Sequence, residues 1–289
     1  MERVDRFLFA PASGLGVVAA RIVLATQALW IVLSHQFAEL SGWPSVFWPR
    51  LPRLRFGIVP GSVDVDRVLY WLLIISLLAV LFGIRTRLAC WISAVLIYHF
   101  APMEAVLGGL TYTTAHSGLT LPLLGFLVLG AAESPRDWTQ SSLEYGWPVR
   151  LIQVILCFHY IGGGLAKLIW SGFPWYAPQN IAGTAATLWT IHHAPLGLVV
   201  YRTAWLATLI AVCTFVIEFC MPLALFSKWA RRILIPLAFV AAFLRAQVFG
   251  LFFLTFPSIL LLLNWDWIAR YLSARVKPAE QVRAAEAEA

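Results

Sequence analysis

The chain has 289 residues, of which 61% are hydrophobic and 12% charged, with a net charge of +7. A soluble domain carries roughly 45–50% apolar and about 25% charged residues. A soluble enzyme fold, a coiled coil, a disordered chain and a disulfide scaffold are therefore excluded, and an all-α polytopic membrane protein remains. Eighteen of the 21 basic residues are Arg. In such a chain a basic balance reports cytoplasmic loops facing anionic lipid, with no nucleic-acid partner.

Apolar runs fall at about 14–34, 68–84, 88–103, 116–132, 149–166, 203–226, 233–244 and 247–264. They are long and lack strand-like alternation, which predicts about eight transmembrane helices in one bundle. The first run carries Arg21 and is too long for a cleaved signal peptide. Residues 1–268 form one transmembrane domain. Residues 269–289 form a short charged tail, cytoplasmic or disordered. With the N-terminus inside, the inner segments hold 13 Lys and Arg and the outer segments 7, with Arg21 within a span. Arg245–Gln247 interrupts the last two runs and leaves the side of the C-terminus open. Two connections exceed a hairpin's needs: a Trp- and Pro-rich segment over 35–67, and an aromatic loop over 167–202 holding Trp170, Trp175, Tyr176 and His192–His193. Cys90, Cys157, Cys213 and Cys220 lie in apolar runs and read as buried thiols.

Charge inside a span costs roughly 2.5–3.5 kcal/mol, so each ionisable residue there needs a partner or a task. Arg21 and Glu218 lie about 10 and 12 Å from the inner ends of their runs at 1.5 Å per residue, which predicts a structural ion pair between them. His116, Lys167 and Arg245 fall near the outer boundary, with His159 and Tyr160 about two turns deeper than Lys167. Lys167 follows Gly162-Gly163-Gly164-Leu165-Ala166, where adjacent glycines permit close helix contact or an unwound turn. The alternative for Lys167 is a snorkelling side chain at a helix end. His192–His193 lacks metal-ligand spacing, and no metal site is predicted. Phosphate loops, dinucleotide fingerprints and nucleophile elbows are absent from the sequence.

The stretch Phe158-His-Tyr160-Ile-Gly-Gly-Gly-Leu-Ala-Lys167-Leu-Ile-Trp170-Ser-Gly-Phe-Pro-Trp175 resembles the core motif of the HTTM membrane-domain family. That family includes the membrane core of vitamin K-dependent gamma-carboxylase and many bacterial proteins. His116 within Thr114-Ala-His116-Ser-Gly, Arg21, Gly83-Ile-Arg85-Thr-Arg87 and Glu218 match further family positions in the same order. The resemblance runs from about residue 10 to 268. It implies a multi-pass protein of a cell membrane, the bacterial inner membrane, with Lys167 as base and His116 as a catalytic support. The substrate or cofactor pocket would include His159, Tyr160, Trp170, Trp175 and Arg245, and would take reduced vitamin K or menaquinol, or a peptide. Ala166 stands where the carboxylase has a second lysine, and Leu244–Arg245 where it has a histidine. The carboxylase's large extramembrane region has no counterpart in this sequence. Three readings stay open: a quinol-dependent carboxylase-like or peptide-modifying enzyme, a non-enzymatic accessory protein in peptide or toxin maturation or export, and a transporter-like bundle.

Overall fold

Why the apolar runs become helices is visible at their ends. In the computed structural model, which describes residues 5, 7–34, 62–111, 118–135, 137–249 and 257–274, the chain is all-α apart from one two-stranded contact. Helix α1 spans Gly14–Ser34, α2 Val63–Phe82, α3 Thr86–Thr111 and α4 Thr120–Ala131. Helix α5 spans Leu143–Ser171, and a 3-10 turn follows over Phe173–Tyr176. Then come α6 Pro178–His192, α7 Gly197–Arg202, α8 Ala204–Cys220, α9 Leu223–Phe226 and α10 Lys228–Phe249. A 3-10 segment, Pro257–Leu262, precedes a last helix, α11, over 265–274.

Four of these helices, α1, α2, α5 and α10, are long and apolar enough to cross a membrane, and α3, α4 and α8 contain shorter apolar stretches. The outward faces are apolar too. Val68, Trp71 and Ile75 on α2, Val95 on α3, Trp205 and Val212 on α8, and Ile233 and Phe243 on α10 are all exposed. In water such a surface drives aggregation; against lipid it costs nothing, which is compatible with a membrane protein.

Caps and turns set the boundaries. Ser62 caps α2, its hydroxyl accepting from the Val65 amide. Gly83 closes α2 in the left-handed region at φ 78°, with the Ile84 amide donating to Ala79 and the Gly83 amide to Val80. Ser142 caps α5 by accepting from the Glu144 amide. Strands β1 (Ala12–Ser13) and β2 (Ser141–Ser142) pair antiparallel, Ala12 with Ser142. This pairing sets the N-terminal ends of α1 and α5 on the same side of the bundle.

The main core joins α1–α5, the end of α8, the start of α10 and the 257–262 segment. A smaller cluster, Ile181, Ala185, Val200, Ala207, Ala211 and Val248, joins α6, α7, α8 and α10. Buried amides tie the 257–262 segment in. Gln153 donates to the Leu261 carbonyl at 2.7 Å, and Gln27 accepts from Ser258 while donating to the Gly118 carbonyl at 3.0 Å. Each satisfies a polar group that burial would otherwise leave costly.

Two expectations need correction. Residues 167–202 are not a long loop: α5 runs to Ser171, and α6 and α7 fill most of the remainder. Helix α6 escaped detection because Gln179, Asn180 and three threonines dilute its apolar face. Arg245–Gln247 does not break a helix either, since α10 runs through it to Phe249. The Gln247 carbonyl accepts from the Leu196 amide, and Arg245 finds partners on α8. Of the two possibilities for the glycine run 162–164, the structure shows close helix contact, at Gly164, within a continuous helix. The Trp- and Pro-rich part of 35–61 and the tail 275–289 lie outside the described residues.

Candidate proton-transfer site at the end of helix α5

Glycine at position 164 is what lets α5 reach α8. A Cβ there would lie 2.9 Å from the Phe219 ring and 3.2 Å from Glu218 Cβ, whereas at Gly162 and Gly163 it would meet nothing within 4 Å. Close contact at Gly164 brings Lys167, one turn further on, against α8. The Lys167 ammonium pairs with Glu218 Oε1, and both side chains are nearly buried, 12% and 5% exposed. Beyond Ser171 the chain turns at Gly172 (φ 66°) into the 3-10 turn, which folds Trp175 and Tyr176 back over the pair. The Lys167 Nζ lies 4.5 Å from the centre of a Trp175 ring, a cation–π contact. The Tyr176 hydroxyl donates to Glu218 Oε2 at 2.7 Å. Phe215 seats the Tyr176 ring edge-on at 5.2 Å between centroids.

Arg245 reaches the same carboxylate from α10. Its Nη2 lies 3.7 Å from Glu218 Oε1 and donates to Thr214 Oγ1 at 3.3 Å. Tyr160 stands within electrostatic reach of both Arg245 and Glu218. One carboxylate thus receives two cations and a phenol inside a largely apolar enclosure. Tyr176 lies beyond the end of α5; burial, with the hydrogen bond to Glu218 behind it, raises its phenol above the usual tyrosine range. Tyr176 therefore stays protonated and keeps donating at any neutral or moderately alkaline pH.

The structure brings together Lys167, Trp175, Glu218, Arg245 and Tyr160 of the residues predicted from sequence. It does not join Arg21 to Glu218. Matching depth along two helices leaves their bearing around the bundle undetermined, and Glu218 faces α5 and α10 instead. The Arg21 guanidinium lies over Gly83, where a Cβ would come within 2.6 Å of Nη1. His159 is half-buried one residue before Tyr160. His116 and the Trp170 side chain lie outside the described residues. Cys213 and Cys220 are only partly buried, unlike Cys90 and Cys157, and all four are free. Among the described residues no group of three His, Cys, Asp or Glu gathers as a metal site would require.

A second polar pair has no counterpart among the sequence-based expectations. His99 Nε2 meets Asp66 Oδ1 at 2.8 Å between α3 and α2, with the Asp66 side chain wholly buried. The signal was present: Asp66 lies 17 residues before Gly83 and His99 16 after it, so an antiparallel hairpin turning at Gly83 sets them opposite. Tyr176 and Thr214 have no comparable signal, since tertiary folding alone brings them to Glu218 and Arg245.

No protein-family model, curated protein or solved structure matches this chain.

Proposed function

We propose that this protein is a multi-pass membrane enzyme that takes a proton from a lipid-soluble quinol, with Lys167 as the base. The observation that carries the reading is the enclosed Lys167–Glu218 pair beneath Trp175 and Tyr176. An ammonium is no base. In contact with a carboxylate, however, it needs only one short proton move, from Nζ to Oε1, to present a free amine. Tyr176 holds the other carboxylate oxygen, and Arg245 offsets negative charge developing beside the pair. Lys167 then accepts a hydroxyl proton from the substrate in a site from which aromatic rings exclude water. The sequence resemblance to the HTTM family, an eight-span bundle in a bacterial inner membrane and carboxylase-like chemistry with reduced vitamin K or menaquinol belong to the same proposal. The protein's other partners would be the bilayer and a peptide substrate.

The test is incorporation of labelled carbon dioxide by membranes supplied with reduced vitamin K or menaquinol, comparing wild type with Lys167→Ala. Quinol-dependent incorporation lost in Lys167→Ala is the expected result; incorporation indifferent to quinol would sink the carboxylase-like mechanism. A second reading is favoured by the closure of the pair on itself: Lys167 and Glu218 pin α5 to α8 in a non-enzymatic accessory protein. Lys167→Arg separates the two, because a pin tolerates another cation and a proton-accepting amine does not.

A further inference from the structure

Two arginines meet near the end of the bundle where α1 and α5 begin. Arg150 lies on α5, its guanidinium carbon 5.0 Å from the centre of the Phe7 ring. Phe7 packs in turn on Phe226 of α9, with ring centroids 5.3 Å apart. Beside Phe226, Arg231 of α10 closes α9: its Nε donates to the Ala224 carbonyl at 3.0 Å and its Nη2 to the Leu225 carbonyl at 3.4 Å. Arg231 lies within electrostatic reach of both Arg150 and Asp266. Asp266 Oδ1 accepts the Ser13 amide at 2.6 Å, and among the described residues neither arginine has a carboxylate within ion-pair distance. Arg150 Nε is sealed from solvent without a hydrogen-bond partner. The Arg150 Nη nitrogens and Arg231 Nη1 also lack a hydrogen bond among the described residues, but they are not sealed off and stay open to a ligand. Two guanidiniums side by side at the rim of an apolar bundle repel each other, and an anion between them relieves both. A phosphate fits that place, because its oxygens accept paired N–H donors from each guanidinium. Phe226 of α9 and Trp229 and Ile233 of α10 are exposed apolar side chains on the same two helices. A soluble phosphate has no use for them, whereas an acyl chain does.

We infer that Arg150 and Arg231 bind the phosphate of a phospholipid with net negative charge, its acyl chains along the exposed side chains of α9 and α10. The inference is independent of the quinol reading. Lys167 lies 17 residues further along α5, about 25 Å away at 1.5 Å per residue. A lipid held by both arginines bridges α5 to α10 at the end of the bundle opposite the Lys167–Glu218 pair.

The test does not depend on activity. The purified full chain in a neutral detergent is titrated with phosphatidylglycerol, phosphatidylcholine or glycerol 3-phosphate, and the bound ligand is counted by native mass spectrometry. Both lipids carry acyl chains and a phosphodiester, but choline sets a further cation beside the two arginines. Phosphatidylglycerol is expected to bind about tenfold more tightly than phosphatidylcholine, the usual worth of a hydrogen bond to a charged group. Arg150 serves no internal acceptor, so Arg150→Gln leaves the fold intact and is expected to abolish the preference. Arg231→Gln is expected to reduce it. Arg232→Gln, which removes the neighbouring cation stacked 5.2 Å from the Trp229 ring centre, is expected to keep it. Equal binding of the two lipids, a preference that survives Arg150→Gln, an equal loss in Arg232→Gln, or glycerol 3-phosphate binding as tightly as phosphatidylglycerol would each overturn the proposal. The carbon dioxide assay can fail without touching this result, and the reverse also holds.

Discussion

At the scale of single residues, the decisive fact is that one buried carboxylate serves two cations. Removing Glu218 leaves Lys167 and Arg245 facing each other without compensation, whereas removing Lys167 leaves Glu218 still beside Arg245. Glu218→Ala is therefore expected to cost about 3–5 kcal/mol, the usual penalty for stranding buried charge, and Lys167→Met clearly less. Thermal unfolding of the purified variants in one detergent reads the order, and a reversed order would place the main compensation elsewhere. Tyr176 adds a pH dependence whose sign follows from its raised phenol. A group whose folded pKa lies above its unfolded value stabilises fully below the unfolded pKa and loses that contribution as pH rises. The stability gap between wild type and Tyr176→Phe is thus expected to hold constant up to about pH 10, the unperturbed tyrosine value, and to narrow above it. A gap that narrows already near neutrality would mean that Tyr176 is not the donor to Glu218.

At the scale of elements, three successive glycines on α5 have different tasks. Gly164 allows the α5–α8 contact, and a Cβ there meets Phe219. Gly162 and Gly163 face open space, where alanine relieves the cost of glycine in a helix, about 0.5–1 kcal/mol each. Gly162→Ala and Gly163→Ala are expected to be neutral or stabilising, and Gly164→Val to cost about 1–3 kcal/mol by overpacking. Unfolding curves of the three variants decide this, and equal effects would remove the close contact as the reason for Gly164. The α2–α3 hairpin makes a parallel case. Asp66→Asn weakens a buried polar link across it and is expected to destabilise the protein, with His99→Asn adding little further because the two residues act as a pair. Additive losses in the double variant would show that the two side chains work separately.

At the scale of the whole molecule, the β1–β2 contact fixes which helix ends share a side. Helix α5 has 29 residues and at 1.5 Å each is long enough to cross a bilayer and project beyond it. Cysteines introduced at Thr139, before α5, and at Phe173, after it, are both at exposed positions. In intact cells an impermeant thiol reagent is expected to label Phe173→Cys and not Thr139→Cys, as the excess of inner Arg and Lys requires. The opposite pattern would invert the topology.

The sequence by itself determined that the chain is helical and built for an apolar surround, because composition and run length do not depend on what packs where. It located α1 at residues 14–34, and it marked Lys167, Glu218 and Arg245 as charges that need an explanation, since charge in an apolar span is costly wherever the span sits. Only the tertiary structure decided the partners. The depth of Arg21 and Glu218 along their helices was legible, but their bearing around the bundle was not, and bearing is what turned Glu218 to Lys167 and left Arg21 over Gly83. The 167–202 segment was misread for a related reason. Its polar residues hide the amphipathic pattern of α6, and only packing against α8 and α10 shows which side of that helix is buried. A run of residues carries its own hydrophobicity, while a contact belongs to two elements whose relative rotation no single run records.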